Sequence, residues 1–159
     1  FAPDDDTYPN GSHVCEVEVD PETGVVELVG YWVVDDVGNV INPTIVKGQI
    51  HGGVAQGVGQ ALGEQVVYEP ETGQLLSASF MDYPMPRADS FPDIEIKPDG
   101  VPTSRNPLGV KGAGEAGTVG ALPATMNAVI DALHCAGVTD FDMPATPNRV
   151  WKAIRDAAI

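Results

Sequence analysis

The chain has 159 residues, 43% of them hydrophobic, which is a one-domain length with enough apolar content for a core. Asp and Glu total 23 against 8 Lys and Arg, so that the formal net charge is −15. This charge argues against nucleic acid and against an anionic membrane as the partner.

The first elements predicted along the chain are the two strands of a hairpin. Residues 13–19 alternate between apolar and polar side chains, and residues 25–34 are rich in β-branched and aromatic ones. Between them, Asp20-Pro21-Glu22-Thr23-Gly24 is typical of a turn, since Pro presets φ and Gly supplies φ > 0. Asp35-Asp36 is interpreted as solvated surface, with burial left open for Asp36.

A glycine-rich helix is predicted next. Asn42-Pro43 matches an N-cap followed by Pro at the first helical position, and apolar residues recur at helical spacing in residues 45–62. Five glycines interrupt this pattern: Gly48, Gly52, Gly53, Gly57 and Gly59. Because each Gly costs roughly 1 kcal/mol against Ala in a helix, they indicate close approach by another backbone or a ligand. The alternative is a packing helix with exposed Gln and His.

The middle of the chain is predicted to hold a second hairpin and a short strand. Residues 66–68 and 75–80 flank Pro70-Glu71-Thr72-Gly73, which has nearly the same turn sequence as the first hairpin. Residues 82–92 are Pro-rich and predict an extended loop, and residues 93–97 predict a short strand.

Two further helices complete an α+β fold, a mostly antiparallel sheet with about three packed helices. The helix after Glu115 is expected to have Pro123 in its first turn and Gly137 at its end. Its apolar face comprises Leu122, Met126, Val129, Ile130 and Leu133. A last helix begins at Thr146-Pro147. Its inward residues are expected to be Val150, Trp151, Ile154, Ala157 and Ala158.

The cysteines and histidines predict no metal bound directly by side chains. Cys15 and Cys135 are interpreted as reduced, small core residues of a cytoplasmic protein. No signal peptide or membrane-length apolar run is visible. The three histidines are scattered and match no metal-ligand spacing.

The most informative segment is Gly109-Val110-Lys111-Gly112-Ala113-Gly114-Glu115-Ala116-Gly117-Thr118. It places one carboxylate, Glu115, among glycines at the start of a helix, where unpaired N–H groups attract anions. This is the layout of an active-site base beside a bound anionic cofactor. Residues 112–117 match G-x-G-x-x-G, but a loop precedes them, which argues against a dinucleotide-binding βαβ unit. A hydrolase that pairs Glu115 with Glu64 is a second alternative.

Two segments resemble the molybdenum hydroxylases, the family of xanthine dehydrogenase, aldehyde oxidase and the carbon monoxide dehydrogenase large subunit. Gly48-Gln49-Ile50-His51-Gly52-Gly53-Val54-Ala55-Gln56-Gly57-Val58-Gly59 is similar to the family's glutamine-bearing pterin-contact segment. Lys111-Gly112-Ala113-Gly114-Glu115 resembles its catalytic glutamate loop. Ile41-Asn42-Pro43 ahead of the first segment also fits, and the likeness runs through nearly the whole chain.

The resemblance implies roles for particular residues. Glu115 would be the general base in the hydroxylation of an electron-poor carbon, such as that of an aldehyde or an N-heterocycle, or in the oxidation of CO. Gln49 would hydrogen-bond the pterin, next to Gly52 and Gly53. The backbone amides of Lys111, Gly112, Ala113 and Gly114 would face the cofactor. That cofactor is a molybdenum pyranopterin, in bacteria often a cytosine dinucleotide.

The resemblance also implies partners. Two cysteines are too few for a Cys₄ [2Fe–2S] site, so FAD and 2Fe–2S centres are expected on partner subunits or domains. The sequence begins with Phe1 rather than Met and is interpreted as a piece of a longer protein. Residues 1–159 would be the C-terminal molybdopterin-binding domain, completed by the remainder of the subunit and acting on a small-molecule substrate. The alternative is a non-catalytic partner-binding or scaffold module that kept the fold.

Overall fold

The computed structural model describes residues 5–158 and confirms the α+β fold. The strands are β1 (Asn10–Val19), β2 (Val26–Asp36) and β3 (Ile94–Pro98), and the α-helices are α1 (Pro43–Leu62), α2 (Ala116–His134) and α3 (Pro147–Ala157). A short 3₁₀ helix covers Ala88–Ser90. None of the helices in residues 5–158 is long and apolar enough to cross a membrane.

The sheet is mixed rather than purely antiparallel. Its strand order is β1-β2-β3, with β1 and β2 antiparallel as predicted for the hairpin. The short strand β3 pairs with β2 in parallel, which the sequence analysis did not anticipate. Parallel strands require a long crossover, and here the chain between β2 and β3 includes α1.

A β-bulge in the hairpin decides which of two adjacent aspartates is buried. The strand register shifts between Glu16 and Val17, and Val29 of β2 has no partner in it. After this extra residue, the buried side chains of β2 are those with odd numbers. Asp35 is therefore buried at 2% exposure, whereas Asp36, for which burial was left open, is intermediate.

The two long helices approach each other closely through small buried residues. These are Gly53, Gly57 and Ala61 on α1, and Gly117, Ala121 and Thr125 on α2. An ideal Cβ on Gly53 would lie 2.8 Å from the nitrogen of Thr118, so that only glycine fits without a shift. The beginning of α2 consequently lies against the middle of α1. This is the close approach of another backbone that the glycines of α1 indicated.

The second predicted hairpin forms its turn but not its strands. Residues 66–80 contain only an isolated bridge between Tyr68 and Leu75. Side chains of the predicted strands, such as Leu76 and Phe80, are exposed at 50% and 76%. The strand prediction was wrong here, and none of residues 66–80 packs against either hydrophobic core cluster of the described residues.

Three predictions at the C-terminal end need correction. Pro123 lies inside α2 rather than in its first turn, since the helix begins directly after Glu115. On α3 only Val150 is buried, while Trp151 and residues 157–158 are exposed. Cys135, expected in the core, is exposed as well. Cys15 is half-buried, and burial raises the pKa of its thiol to about 11.

Candidate functional site

The loop before α2 is fastened to the end of β2. Gly109 adopts φ = 66°, a conformation that favours glycine, and Val110 forms an isolated antiparallel bridge with Gly38. The backbone N–H of Lys111 then donates to the carbonyl of Val37 at 2.9 Å. The chain therefore enters the Glu115 loop from a fixed position.

Asp36 strengthens this attachment by joining three segments. Its Oδ2 accepts from Lys111 Nζ at 2.5 Å, and its Oδ1 accepts from the backbone N–H groups of Gly38 and Val101. The hydrogen bond from Lys111, followed by that from Gly38, lowers the pKa of Asp36 to about 2. The carboxylate thus remains charged and bound at neutral pH.

Lys111, whose amide the resemblance assigns to the cofactor, makes two contacts within the protein. Its backbone N–H donates to the carbonyl of Val37, and its ammonium group donates one hydrogen bond to Asp36. Lys111 thus holds the start of the loop, and it is not among the residues that line the cleft described below.

The next residues leave their amides accessible. Outside the helices and strands of the described residues, the N–H groups of Gly112, Ala113 and Gly114 donate to no backbone carbonyl. Space is open around Gly114, and only the ring of Pro9 approaches the position of a Cβ on Gly112. Because these amides precede the first turn of a long helix, they form a favourable environment for an anion.

Glu115 occupies the N-cap position of α2 without acting as a cap. Its backbone has φ = −120° and ψ = −5°, and its side chain makes no capping hydrogen bond. The residue is exposed. A carboxylate that is not used to stabilise its own helix is available to accept a proton or a hydrogen bond.

A cleft of about 440 Å³ brings this loop together with the hairpin. It is lined by residues 9–11, His13 and Asp35 on one side, and by residues 112–116, Val119 and Gly120 on the other. Its size lies in the range of small-molecule sites.

The hairpin side of the cleft contains a buried polar network that the sequence did not predict. His13 Nδ1 lies 2.9 Å from the hydroxyl of Tyr31, and His13 Nε2 lies 3.3 Å from Asp35 Oδ1. Tyr31 is fully buried, and burial raises the pKa of its hydroxyl. Asp35 Oδ2 is buried and has no hydrogen-bond partner in the described part of the chain. The alternation of β1 already placed His13 on the same side as Cys15, which was the available indication.

The glutamine segment lies beside the loop but outside the cleft. An ideal Cβ on Gly117 would lie 2.6 Å from the carbonyl oxygen of Ile50, so the two predicted motifs are in contact. Gln49 and Gly52 are exposed on α1, with open space around Gly52. Gly53, by contrast, is buried at the helix contact.

The arrangement does not form the carboxylate pair of the hydrolase alternative. Glu64 follows the end of α1, whereas Gly53 contacts the first turn of α2. With a rise of 1.5 Å per residue, roughly 14 Å of helix separates Gly53 from the end of α1. Moreover, Glu64 Oε2 accepts a hydrogen bond from the hydroxyl of Tyr83 at 2.9 Å. Glu64 and Glu115 therefore do not act on the same bond.

A larger groove of about 660 Å³ lies elsewhere, between the start of β2, the end of α1 and the Pro-rich segment. Its lining is mostly Val, Leu, Pro and Met, and it contains none of the predicted site residues. We therefore place the candidate site in the smaller cleft.

The residues of the cleft fit a ligand that carries anionic groups, which the accessible amides of residues 112–114 would bind. No group of three or more His, Cys, Asp or Glu in residues 5–158 is arranged to hold a metal ion. A metal in this cleft would need ligands brought by a cofactor or by other polypeptide.

Comparison with known proteins identifies the family to which this chain belongs. The family model of the molybdopterin cofactor-binding domain matches residues 2–92, more than half of the chain. The chain is a member of this family, and the resemblance to the molybdenum hydroxylases is confirmed. The matched range includes the Gln49 segment and ends before the Glu115 loop.

Individual relatives extend the similarity across the Glu115 loop. The chain is 45% identical over 148 residues to the nicotine 6-hydroxylase large subunit of Paenarthrobacter nicotinovorans, covering 93% of this chain and 18% of the relative. It is 39% identical over 156 residues to the carbon monoxide dehydrogenase large chain of Hydrogenophaga pseudoflava, covering 98% and 19%. A crystal structure of a Cu,Mo-CO dehydrogenase in its carbon monoxide-reduced state superposes with a TM-score of 0.93 at 36% identity, covering 99% and 20%. The chain thus spans about a fifth of the length of these relatives.

Proposed function

We propose that this chain is the C-terminal part of the molybdopterin-binding region of a molybdenum hydroxylase, with Glu115 as the general base. One observation carries the proposal. The carboxylate of Glu115 makes no capping hydrogen bond, and it stands at the end of a glycine-rich loop that lines a cleft. The family membership supplies the class of cofactor.

The residues of the chain would hold the cofactor from two sides. The amides of Gly112, Ala113 and Gly114 would bind its anionic groups, while Gln49 and the open backbone at Gly52 would contact the pterin from α1. Gly53 would act indirectly, because it lets α2 come close to α1. The amides of the loop and the exposed face of α1 could then contact one ligand. When bound, the cofactor supplies the two-electron redox chemistry of the reaction.

Glu115 would take up the proton released when the substrate is hydroxylated. A general base is effective only when it is held within hydrogen-bond reach of that proton. Lys111 and Asp36 provide this restraint, because they fix the start of the loop that leads to Glu115.

The substrate would be an aldehyde, an N-heterocycle, a related electron-poor carbon or CO, and the relatives named above include a nicotine hydroxylase and a carbon monoxide dehydrogenase. The cytosine dinucleotide form of the cofactor, and FAD and 2Fe–2S centres on partner subunits or domains, belong to the same proposal. A cytoplasmic location is also part of the proposal. It is consistent with two cysteines that form no disulfide, one of which is exposed.

The test is Glu115→Gln in the complete enzyme. Gln keeps the size and hydrogen bonding of Glu but cannot take up a proton at neutral pH, and general-base catalysis contributes ~10²–10⁴-fold to a rate. We expect molybdenum content close to that of the wild type, with kcat reduced by at least ~100-fold.

Glu64→Gln is the matched control and should retain full turnover, since the side-chain amide oxygen that it introduces can still accept from Tyr83. A Glu115→Gln enzyme that keeps more than a tenth of its kcat would refute the assignment of the general base.

A further inference from the structure

The beginning of α2 lies between α1 and the hairpin, and it has a glycine at each contact. An ideal Cβ on Gly117 would lie 2.6 Å from the carbonyl oxygen of Ile50 in α1. An ideal Cβ on Gly120 would lie 2.5 Å from Cδ2 and Nε2 of His13 in β1. Because the helix backbone itself makes both contacts, neither leaves room for the helix to move towards its neighbour.

The ring of His13 is fixed at both of its nitrogens. Nδ1 lies 2.9 Å from the hydroxyl of Tyr31, and Nε2 lies 3.3 Å from Asp35 Oδ1. Since a carboxylate only accepts, Nε2 donates to Asp35 and Nδ1 accepts from Tyr31. Burial raises the pKa of the Tyr31 hydroxyl, which therefore keeps the proton that it donates. The His13 side chain is 4% exposed, so a rotation of the ring would break hydrogen bonds inside the protein.

Both partners of His13 belong to β2 and are held in place themselves. Tyr31 is part of the core cluster that joins β2 to α1. Asp35 is buried, and the backbone of Gly11 closes over its Oδ1, where a Cβ could not fit. The sheet thus presents the imidazole to α2 in one orientation. An apolar side chain of similar size would fill the same space, but no hydrogen bonds would fix its orientation.

We propose that His13 is a positioning residue whose ring sets the distance between the hairpin and the beginning of α2, and thereby the position of Glu115 in the cleft. Gly120 follows Glu115 by five residues, which is roughly 7.5 Å along a helix. A shift of the helix at Gly120 is therefore transmitted to its N-cap residue. His13 and Glu115 line the same cleft, whose width depends on this spacing. The effect on turnover rests on the proposed function of Glu115.

The experiment removes the contact from either side in the complete enzyme. His13→Ala leaves a void beneath Gly120, and Gly120→Ala places a methyl group where the ring lies. We expect each change to lower kcat on the order of 10- to 100-fold, with KM and molybdenum content near those of the wild type. In the double variant the added methyl group enters the space that the ring has left. The loss of kcat should then be smaller than the product of the two single losses.

A conservative variant separates the hydrogen bonds from the bulk of the ring. The side-chain amide of His13→Gln can donate to Asp35 and accept from Tyr31, so this variant should keep most of the turnover. Val129→Ala is the control for stability, because it removes buried side-chain volume from α2 in the other core cluster. It should destabilise the protein without lowering kcat.

Hydrogen exchange at Val119 follows the position of the helix without turnover. The Val119 N–H donates to the carbonyl oxygen of Glu115 at 3.0 Å and so reports on the turn that carries the base. We measure it in complexes prepared in cells that cannot make the molybdenum cofactor. Exchange should be faster than in the wild type for His13→Ala and Gly120→Ala, and unchanged for His13→Gln and Val129→Ala.

Three results would overturn the proposal. One is wild-type turnover and wild-type exchange at Val119 in folded His13→Ala. Another is an equal loss of kcat in Val129→Ala, which would reduce His13 to a contributor to stability. If His13→Ala does not fold, wild-type behaviour of Gly120→Ala, which keeps every hydrogen bond of the His13 ring, is the third. Turnover of Glu115→Gln remains the separate test of the proposed function, and exchange at Val119 does not depend on it.

Discussion

At the scale of single residues, the adjacent aspartates Asp35 and Asp36 have opposite surroundings. Asp35 faces the helices, where it contacts His13 and keeps one oxygen unpartnered. Asp36 faces the other way and receives three donors, among them the ammonium group of Lys111. Asp36 therefore fastens the Glu115 loop, whereas Asp35 lines the cleft in which that loop acts.

Loss of the Asp36 contact should loosen the loop. Because the folded pKa of Asp36 is depressed to about 2, its stabilising contribution is complete above the ordinary pKa of an aspartate. It is lost only as the pH falls from about 4 to about 2. We expect Asp36→Asn at pH 7 to accelerate hydrogen exchange at the amides of residues 112–115. In the complete enzyme we expect a fall in kcat on the order of 10- to 100-fold, since small misplacements of a catalytic group have effects of this size.

Asp131→Asn is the control for charge in this experiment, since its exposed side chain lies on α2 away from the loop. It should change neither exchange nor turnover. If the Asp36→Asn loop exchanges at the wild-type rate, the ion pair does not restrain Glu115.

The residues of the site were predictable to the extent that their chemistry is local. Glu115 and the glycines before it form one continuous motif, and Asn42 accepts from the backbone of Ile45 as its N-cap position requires. Asp35 could not be chosen over Asp36, because its burial depends on the bulge at Val29. A strand without that extra residue would bury the other aspartate.

At the scale of elements, two nearly identical turns show what local sequence determines. Asp20 and Glu69 each accept from the hydroxyl of the Thr three residues later, at 2.7 and 2.8 Å. Gly24 and Gly73 adopt φ of 74° and 70°. Only the first turn is flanked by full strands, because β1 packs against α2 and the residues around the second turn are exposed. Turn chemistry is local, but a strand requires a partner surface.

The glycines of α1 should differ in what they do to stability. An ideal Cβ on Gly48 meets nothing within 4 Å, whereas one on Gly53 would collide with Gly117 and Thr118. Gly48→Ala should therefore stabilise the chain by about 0.5–1 kcal/mol through helix propensity. Gly53→Ala should destabilise it by about 1–3 kcal/mol through overpacking.

Chemical denaturation of both variants and the wild type, followed by circular dichroism, measures these differences. The two variants serve as controls for each other, since both replace a helical glycine of α1 by alanine. Equal effects of the two substitutions would show that the contact between α1 and α2 does not depend on Gly53.

At the scale of the whole molecule, the described residues form only one side of the candidate site. The described residues contribute a glycine loop, one base and the exposed face of α1, and the cleft between the loop and the hairpin is open to solvent. The relatives that share this arrangement are about five times longer, since the chain covers 18–20% of them. In the proposed function, the remainder of the subunit would supply the opposite wall and most of the substrate contacts.

This chain, purified alone, should consequently bind no molybdenum cofactor and show no hydroxylase activity. With many of the hydrogen-bonding partners of the pyrophosphate and pterin missing, those groups would stay largely solvated. The remaining contacts would not offset the free-energy cost of immobilising the ligand. Elemental analysis for molybdenum, alongside the complete enzyme prepared in the same way, measures this directly. We expect near-stoichiometric metal in the complete enzyme and well under a tenth of that in the isolated chain. Stoichiometric molybdenum in the isolated chain would mean that the glycine loop and the α1 face suffice to hold the cofactor.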